Sequence, residues 1–270
     1  STGTGYSPVP LQLAPSGFYE ADFAVLPCGS EVQWYVSAQT LTGESQLDPP
    51  AAPAGFYSAT VGEGLTVLVD DKMEFDSGWT VGAPSDTATT GVWELGDPNG
   101  TGAQPEDDQT PGSGVFCWFT GQTPPGGGLG DNDIDGGATT LTSPVYDLST
   151  SVDPLLSFYQ WYSNDTGASP GADIFRVEIS SDGGNNWSLL EETGPSGPGT
   201  GGGWTLREFT LSGLIPLTSQ VRLRFIASDQ GSASVVEAAI DDLQISDIQC
   251  TDCNGNGISD AADLSSGWRA

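Results

Sequence analysis

Val221-Arg222-Leu223-Arg224-Phe225 is the stretch on which the fold turns. Its apolar residues occupy every second position, so Val221, Leu223 and Phe225 point to one side of an extended chain while Arg222 and Arg224 point to the other. That is the pattern of a half-buried strand, with the two arginines on the wet face. Working outward, strands are legible at 155–162, 174–179, 204–211, 221–227 and 238–245, separated by Gly/Pro loops such as 123–130 and 194–203. No helix-period pattern interrupts the run from about residue 65 to about 248. The reading is an antiparallel jelly-roll sandwich.

Before that block, short apolar strands alternate with turn residues at 9–13, 18–26 and 32–38. The run Pro27-Cys28-Gly29-Ser30-Glu31-Val32-Gln33-Trp34-Tyr35-Val36-Ser37-Ala38-Gln39, followed by Thr42-Gly43, resembles the latter half of a fibronectin type III or immunoglobulin-like domain. Such domains need about 100 residues and seven strands. The resemblance therefore implies an incomplete sandwich with an uncovered face. The Pro/Ala-rich segment Asp48-Pro49-Pro50-Ala51-Ala52-Pro53 reads as a crossing loop. The expected organisation is all-β: a partial fibronectin III/Ig-like sandwich at 1–64, a jelly roll at 65–248 and a calcium-loop tail at 249–270.

Composition narrows the function. The chain has 36 Asp and Glu against 6 Lys and Arg, a formal charge of -30, and no histidine. Such a charge repels phosphate backbones and anionic bilayers and attracts divalent cations, so nucleic acid is excluded as a partner and calcium is the natural ion. Without imidazole there is no Ser-His or Cys-His nucleophile pair and no ordinary catalytic zinc site. No run of about 18 apolar residues exists to span a membrane. The chain opens at Ser1 without a signal-peptide pattern, the expectation being a processed or excised piece. Four cysteines, Cys28, Cys117, Cys250 and Cys253, in a Gly/Ser/Thr-rich chain of exported character point to one or two disulfides, with free thiols as the equal alternative and any pairing open among three possibilities.

The phrases Met73-Glu74-Phe75-Asp76-Ser77-Gly78-Trp79-Thr80, Gln104-Pro105-Glu106-Asp107-Asp108, Asp131-Asn132-Asp133-Ile134-Asp135-Gly136-Gly137 and Ala239-Ile240-Asp241-Asp242 form a series. Together they resemble the jelly-roll accessory domain appended to large secreted bacterial proteins, including some zinc carboxypeptidases, and are distantly like MAM and carbohydrate-binding jelly rolls. The resemblance covers about residues 70 to 246. It implies a non-catalytic module, since the peptidase of such proteins is a separate unit with His and Glu ligands.

The sharpest chemical signal is Asp252-Cys253-Asn254-Gly255-Asn256-Gly257-Ile258-Ser259-Asp260-Ala261-Ala262-Asp263. Asp252, Asn254, Asn256, Asp260 and Asp263 fall at positions 1, 3, 5, 9 and 12 of a calcium loop, Gly257 takes the sharp bend at 6, and Ile258 offers its carbonyl at 7. The segment looks like the loops of dockerins and thrombospondin type 3 repeats. It departs from the common pattern in having Asp at position 12 and in standing alone, and the alternative to a calcium loop is a merely polar linker.

Inside the jelly roll, Glu74 on the first strand and Asp241 and Asp242 on the last are expected to be neighbours, with Asp131, Asp133 and Asp135 joining by a loop. Structural calcium is the favoured reading, solvated acidic loops the alternative. Acid-base glycoside chemistry is the poorer third, because the carboxylates sit among Gly and Asn as metal loops do. Ser180-Ser181-Asp182-Gly183-Gly184-Asn185-Asn186-Trp187 resembles an Asp-box, a hairpin device away from any active site. Trp93, Trp118, Trp161, Tyr162 and Trp204 raise carbohydrate stacking, against core packing as the bland reading. Asn99, Asn164 and Asn186 head glycosylation sequons.

These readings converge on a secreted or cell-surface, calcium-holding binding module. Its partners are other domains of a parent protein or copies of itself, with carbohydrate as the small-ligand class. The rival is a subunit of an extracellular filament, linked by donation of the 1–13 strand between copies.

Overall fold

The computed structural model describes residues 6–250 except 16, 24, 25, 41 and 113. It divides into two units, Ser1–Thr66 with Ile248–Ala270, and Val67–Asp247. Every regular element among the described residues is a strand, as the alternating sequence dictates. The calcium loop at 252–263 lies outside the described residues.

In the smaller unit, β1 (Gln12–Leu13) pairs β2 (Tyr19–Glu20). The reading of 32–38 as one strand is corrected: the run breaks at Tyr35 into β3 (Glu31–Trp34) and β4 (Val36–Gln39). Each half then pairs elsewhere, β4 with β5 (Ser45–Asp48) and β3 with β6 (Tyr57–Thr60). The result is three two-stranded ribbons. Trp34 sits between Phe23 and Tyr57 at ring distances of 6.2 and 6.0 Å, and a disulfide joins Cys28 to Cys250. Ala52 is the one buried apolar residue among those described in this unit. A core this thin gains little from burial, so the disulfide, by restricting the unfolded chain, matters more here than in the larger unit.

The larger unit is a two-layer sandwich. One sheet runs β15 (Thr205–Thr210), β12 (Leu155–Gly167), β17 (Ser234–Gln249), β10 (Cys117–Thr120) and β9 (Trp93–Gly96), with β7 (Gly64–Asp71) also pairing β17. The other runs β14 (Ser188–Thr193), β13 (Phe175–Ser180), β16 (Arg222–Asp229), β11 (Gly137–Thr142) and β8 (Thr80–Val81). Alternation decides what lies between them. Leu156, Phe158 and Tyr162 of β12 face Phe175, Val177 and Ile179 of β13 and Leu223, Phe225 and Ala227 of β16, all fully buried. Phe225 stands at the centre, edge-on to Phe158 at 5.1 Å and 6.0 Å from Trp79. Burying one such ring contributes about 2–3 kcal/mol.

The outer face of the second sheet carries the arginines as expected. Arg224 pairs with Glu178 and lies 4.4 Å above the Trp187 ring, and Arg222 donates twice to the Ser143 carbonyl. The Asp-box segment forms the β13–β14 hairpin. Asp182 Oδ1 accepts the backbone N–H groups of Asn185 and Asn186 at 3.0 and 2.9 Å. These bonds, led by that from the Asn186 side chain, hold its carboxyl at about 2.

Candidate acidic site on the outer face of the first sheet

The site begins with an irregularity in β17. Between Ser157 and Tyr159 the β12–β17 register shifts, Ser157 opposing Gln244 and Tyr159 opposing Asp241, and Asp242 takes a left-handed φ of 51°. A bulge of this kind re-aims side chains, and a non-glycine residue with positive φ is held there only by its surroundings. Here it sets Asp241 and Asp242, consecutive on the chain, beside a single threonine. Asp241 Oδ2 accepts from the Gln109 and Thr110 backbone at 2.7 and 3.2 Å, and the Thr110 hydroxyl donates to Asp242 Oδ1 at 2.8 Å. Lys72 Nζ lies 3.2 Å from the same Asp242 oxygen.

Two further carboxylates complete the group. Glu74 takes the Val115 N–H with both oxygens, at 3.1 and 3.2 Å. Asp108 faces it across Gly114, where a Cβ would lie 2.4 Å from Asp108 Oδ2 and 2.6 Å from Glu74 Oε1, so only glycine fits. Asp108 Oδ2 is buried without a hydrogen-bond partner among the described residues. Burial, then Glu74, lifts the Asp108 carboxyl to about 6; burial, against the Gln109 N–H and with Asp242 and Asp108 nearby, lifts Asp241 to about 7. The cluster carries more negative charge than Lys72 balances, and hard oxygen atoms in that state suit a calcium-class ion. Among the described residues, no three Cys, Asp or Glu side chains already converge as around a bound metal.

The same residues pin the connection 97–116 onto the sheet. Beneath it lie Cys117, Phe119 and Ala239, flanked by Trp161 and Trp204 in edge contact at 5.9 Å. Trp161 Nε1 donates to the Ala103 carbonyl at 2.7 Å and Trp204 Nε1 to that of Asp107 at 3.2 Å. Both indoles therefore serve the loop. Trp93, Trp118 and Tyr162 belong to the core. Tyr159, half-buried like Trp161 and Trp204, stands on the same face opposite Leu206, which is 45% exposed.

The sequence-derived acidic set is thus split, which corrects the expectation that one loop joins it. Glu74, Asp241 and Asp242 gather with Asp108. Asp133 and Asp135 instead lie towards Glu237 and Asp229, and Asp131 caps its own turn by accepting the Gly128 N–H at 2.7 Å. Glu237 and Asp241 are four residues apart on one face of β17, hence about 13 Å, too far for a shared ion. Asp133 is lifted to about 7 by burial first and Asp135 second, and Glu237 well above its usual range by burial. Asp108 and Glu237 were not marked as site residues from the sequence. The only signal for Glu237 was the alternation Glu237-Ala239-Asp241. Asn164, heading one sequon, is fully buried and out of reach of any glycosylating enzyme in the folded state.

No family model and no curated protein matches the chain. Among solved structures it is similar to the K1 cleaved adhesin domain of Lys-gingipain from Porphyromonas gingivalis W83, at 17% identity over 67% of this chain and 97% of that one, with a TM-score of 0.41. It is similar also to a cyclase from Fischerella sp. TAU, at 12% identity over 70% of this chain and 100% of that one, TM-score 0.38. A third is the CBM22-1 xylan-binding domain of Paenibacillus barcinonensis Xyn10C, at 15% identity over 72% and 99%, TM-score 0.34. Likenesses this distant carry no argument about ligand or chemistry.

Proposed function

We propose that the chain is a non-catalytic, extracellular, calcium-stabilised β-sandwich module that binds a ligand, carbohydrate being the class favoured, on the outer face of the first sheet within a larger assembly. The observation that supports it is the placement of Glu74, Asp108, Asp241 and Asp242, which clamp the 97–116 connection across that face. An ion there would fix one wall of the shallow surface formed by Tyr159 and Leu206. Glu74 and Asp241 are spent on backbone N–H groups of the loop and Asp242 on Thr110 and Lys72, rather than aimed across an open cleft, which speaks against acid-base catalysis. The Cys28–Cys250 disulfide accords with an oxidising compartment. The 252–263 segment is proposed as a further calcium loop, in which Asp252→Ala removes one bound ion.

The test is thermal unfolding of the EDTA-stripped chain with calcium chloride against sodium chloride of equal ionic strength, together with retardation in native gels cast with soluble polysaccharides. A melting temperature that rises with calcium alone, and retardation lost in Tyr159→Ala, support the reading. Equal rises and no retardation on any glycan overturn it.

A second reading, a filament subunit, draws on exposed apolar residues of the smaller unit: Phe18 is 74%, Tyr19 67% and Leu13 65% exposed. Strand β1 pairs within its own chain, so donation requires that pairing to be exchanged. Sedimentation of the intact chain and of one lacking residues 1–13 decides: assembly by the first and not by the second supports it, and monomers from both overturn it.

A further inference from the structure

At the end of the sandwich beyond Glu237, four oxygen-bearing side chains come together in the interior without a base. They are Tyr162 and Asn164 of β12, Asp173 just before β13, and Asp229 at the end of β16, at 1%, 0%, 2% and 5% exposure. The Asn164 amide has one possible orientation, since Nδ2 donates to the carbonyls of Asp173 and Pro195 at 2.7 and 2.9 Å. Its Oδ1 is left without a partner among the described residues. Asp173 Oδ1 accepts the Gln230 N–H at 2.7 Å, which ties it to the residue next to Asp229, while Asp173 Oδ2, Asp229 Oδ1 and the Tyr162 hydroxyl, which has the Asn164 amide for a neighbour, are buried without a hydrogen-bond partner among the described residues.

Four buried oxygens without a partner among the described residues, on side chains linked by the Asn164–Asp173 and Asp173–Gln230 bonds, require an explanation, because native interiors seldom leave such groups unsatisfied. Their proximity has electrostatic consequences: Asp229 is raised by burial, then by Asp173 and Asp135, and Tyr162 by burial, then by Asp173. No described cation answers this charge. Lys72 is engaged with Asp70 and Asp242, Arg176 with Glu192, Arg207 with Glu191, Arg224 with Glu178, and Arg222 with the Ser143 carbonyl. A water molecule would satisfy hydrogen bonds and leave the repulsion between two buried carboxylates in place.

A groove of about 590 Å³, lined by Asp135, Gly136, Gly137, Asp229, Gln230 and Gly231, reaches the group at Asp229. Its wall at Gly137 has φ 138° and lies so close to Thr87 that a Cβ would come within 1.8 Å of the hydroxyl, so the opening depends on glycine.

We propose that Asn164 Oδ1, Asp173 Oδ2 and Asp229 Oδ1 ligate a divalent cation of the calcium class, with the Tyr162 hydroxyl beside them and entry through this groove. Two carboxylates and an amide carbonyl form the mixed hard-oxygen set that calcium takes, and the set closes the end of the sandwich by tying β12, β13 and β16 together. The site is separate from the Asp241 cluster and does not depend on it.

The experiment is calorimetric titration of the EDTA-stripped full chain with calcium chloride, comparing wild type with Asp229→Asn, Asp173→Asn and, as a control on the β13–β14 hairpin, Asp182→Asn, alongside crystals grown in calcium chloride and measured for anomalous scattering. Asp229→Asn and Asp173→Asn should each lose one bound ion per chain, Asp182→Asn should keep the wild-type stoichiometry, and an anomalous peak should lie against Asp173 and Asp229. Folded Asp229→Asn with the wild-type stoichiometry overturns the proposal. If both variants fail to fold, the crystal decides: a peak at this position supports the site and a water there overturns it.

Discussion

The carboxylate of Asp241, on the longest strand of the sandwich, accepts the backbone N–H of Gln109 at 2.7 Å across 132 residues of chain. This contact binds a loop that has no regular structure of its own to the central strand of the sheet. Removing the carboxylate leaves the Gln109 and Thr110 N–H groups unpaired under the loop, at about 1–3 kcal/mol each. Asp241→Ala should therefore lower stability by about 2–4 kcal/mol in urea unfolding. Asp241→Asn keeps an acceptor oxygen and should cost less in EDTA, yet lose any stability increment that calcium confers. Equal losses for the two variants, with and without calcium, would show that the residue acts through packing alone.

The raised carboxyls predict a direction with pH. Asp241 and Asp133 at about 7 and Asp108 at about 6 bind protons in the folded chain that the unfolded chain, with ordinary carboxyls near 4, has released. Between about pH 4 and 7 the folded state thus holds more protons, so stability falls as pH rises through that window. Calorimetry of the EDTA-stripped chain from pH 4.5 to 8 should show a declining melting temperature, and calcium should flatten the decline. A rise with pH in EDTA would refute the assignment.

Phe225 shows why the sandwich was legible from sequence. Alternation in Val221-Phe225 set three residues inward, all buried, and two arginines outward, because a strand leaves side chains no other choice. The acidic site is legible in the sequence only on and next to the strands. Asp241 and Asp242 lie on β17 and Glu74 just past β7, and they gather about Asp108, which reaches them on a loop that crosses the sheet; nothing in the local sequence encodes where an irregular segment lands. The same holds for the Asp131–Asp135 loop, which lands away from Asp241. The Val32–Ala38 run has the continuous propensity of one strand; the break at Tyr35 comes from competing partners on two ribbons.

At the centre of the core, Phe225→Ala removes a ring in contact with Phe158, Phe175 and Trp79. The expected loss is about 3–5 kcal/mol, with Phe225→Leu costing about a third as much because it leaves a smaller cavity. Guanidinium midpoints for the two variants measure this directly.

The Asp182 hairpin makes the opposite pH prediction from the buried acids. Its carboxyl is held at about 2 by the Asn186 side chain first and by the hairpin's N–H groups, so its contribution is present above about pH 4 and lost as pH falls through 2. Asp182→Ala should loosen the β13–β14 turn and raise amide exchange at Asn185 and Asn186 at neutral pH. Unchanged exchange there would mean that the Arg224–Trp187 contact suffices to hold the turn.

The loop over the first sheet can be opened selectively. Trp161→Phe keeps a ring against Phe119 and Ala239 but deletes the N–H that donates to Ala103 at 2.7 Å, leaving that carbonyl unpaired in a region where Ala103 and Gln104 are buried. The direct cost is about 1–2 kcal/mol, and it falls on local opening of residues 97–116 more than on the core, since none of the central rings is touched. Cys117 reports the opening. It lies fully buried beneath the loop, and burial, followed by the charge of Asp241, lifts its thiol well above the usual range, so the closed state is unreactive on both counts. Peptide-resolved alkylation should therefore find Cys117 slow in wild type, faster in Trp161→Phe and faster again in Trp161→Phe with Trp204→Phe, while the thermal midpoint falls only modestly. Alkylation that tracks the midpoint across all three proteins would show that Cys117 is exposed by global unfolding, and that the loop and the sheet open as one.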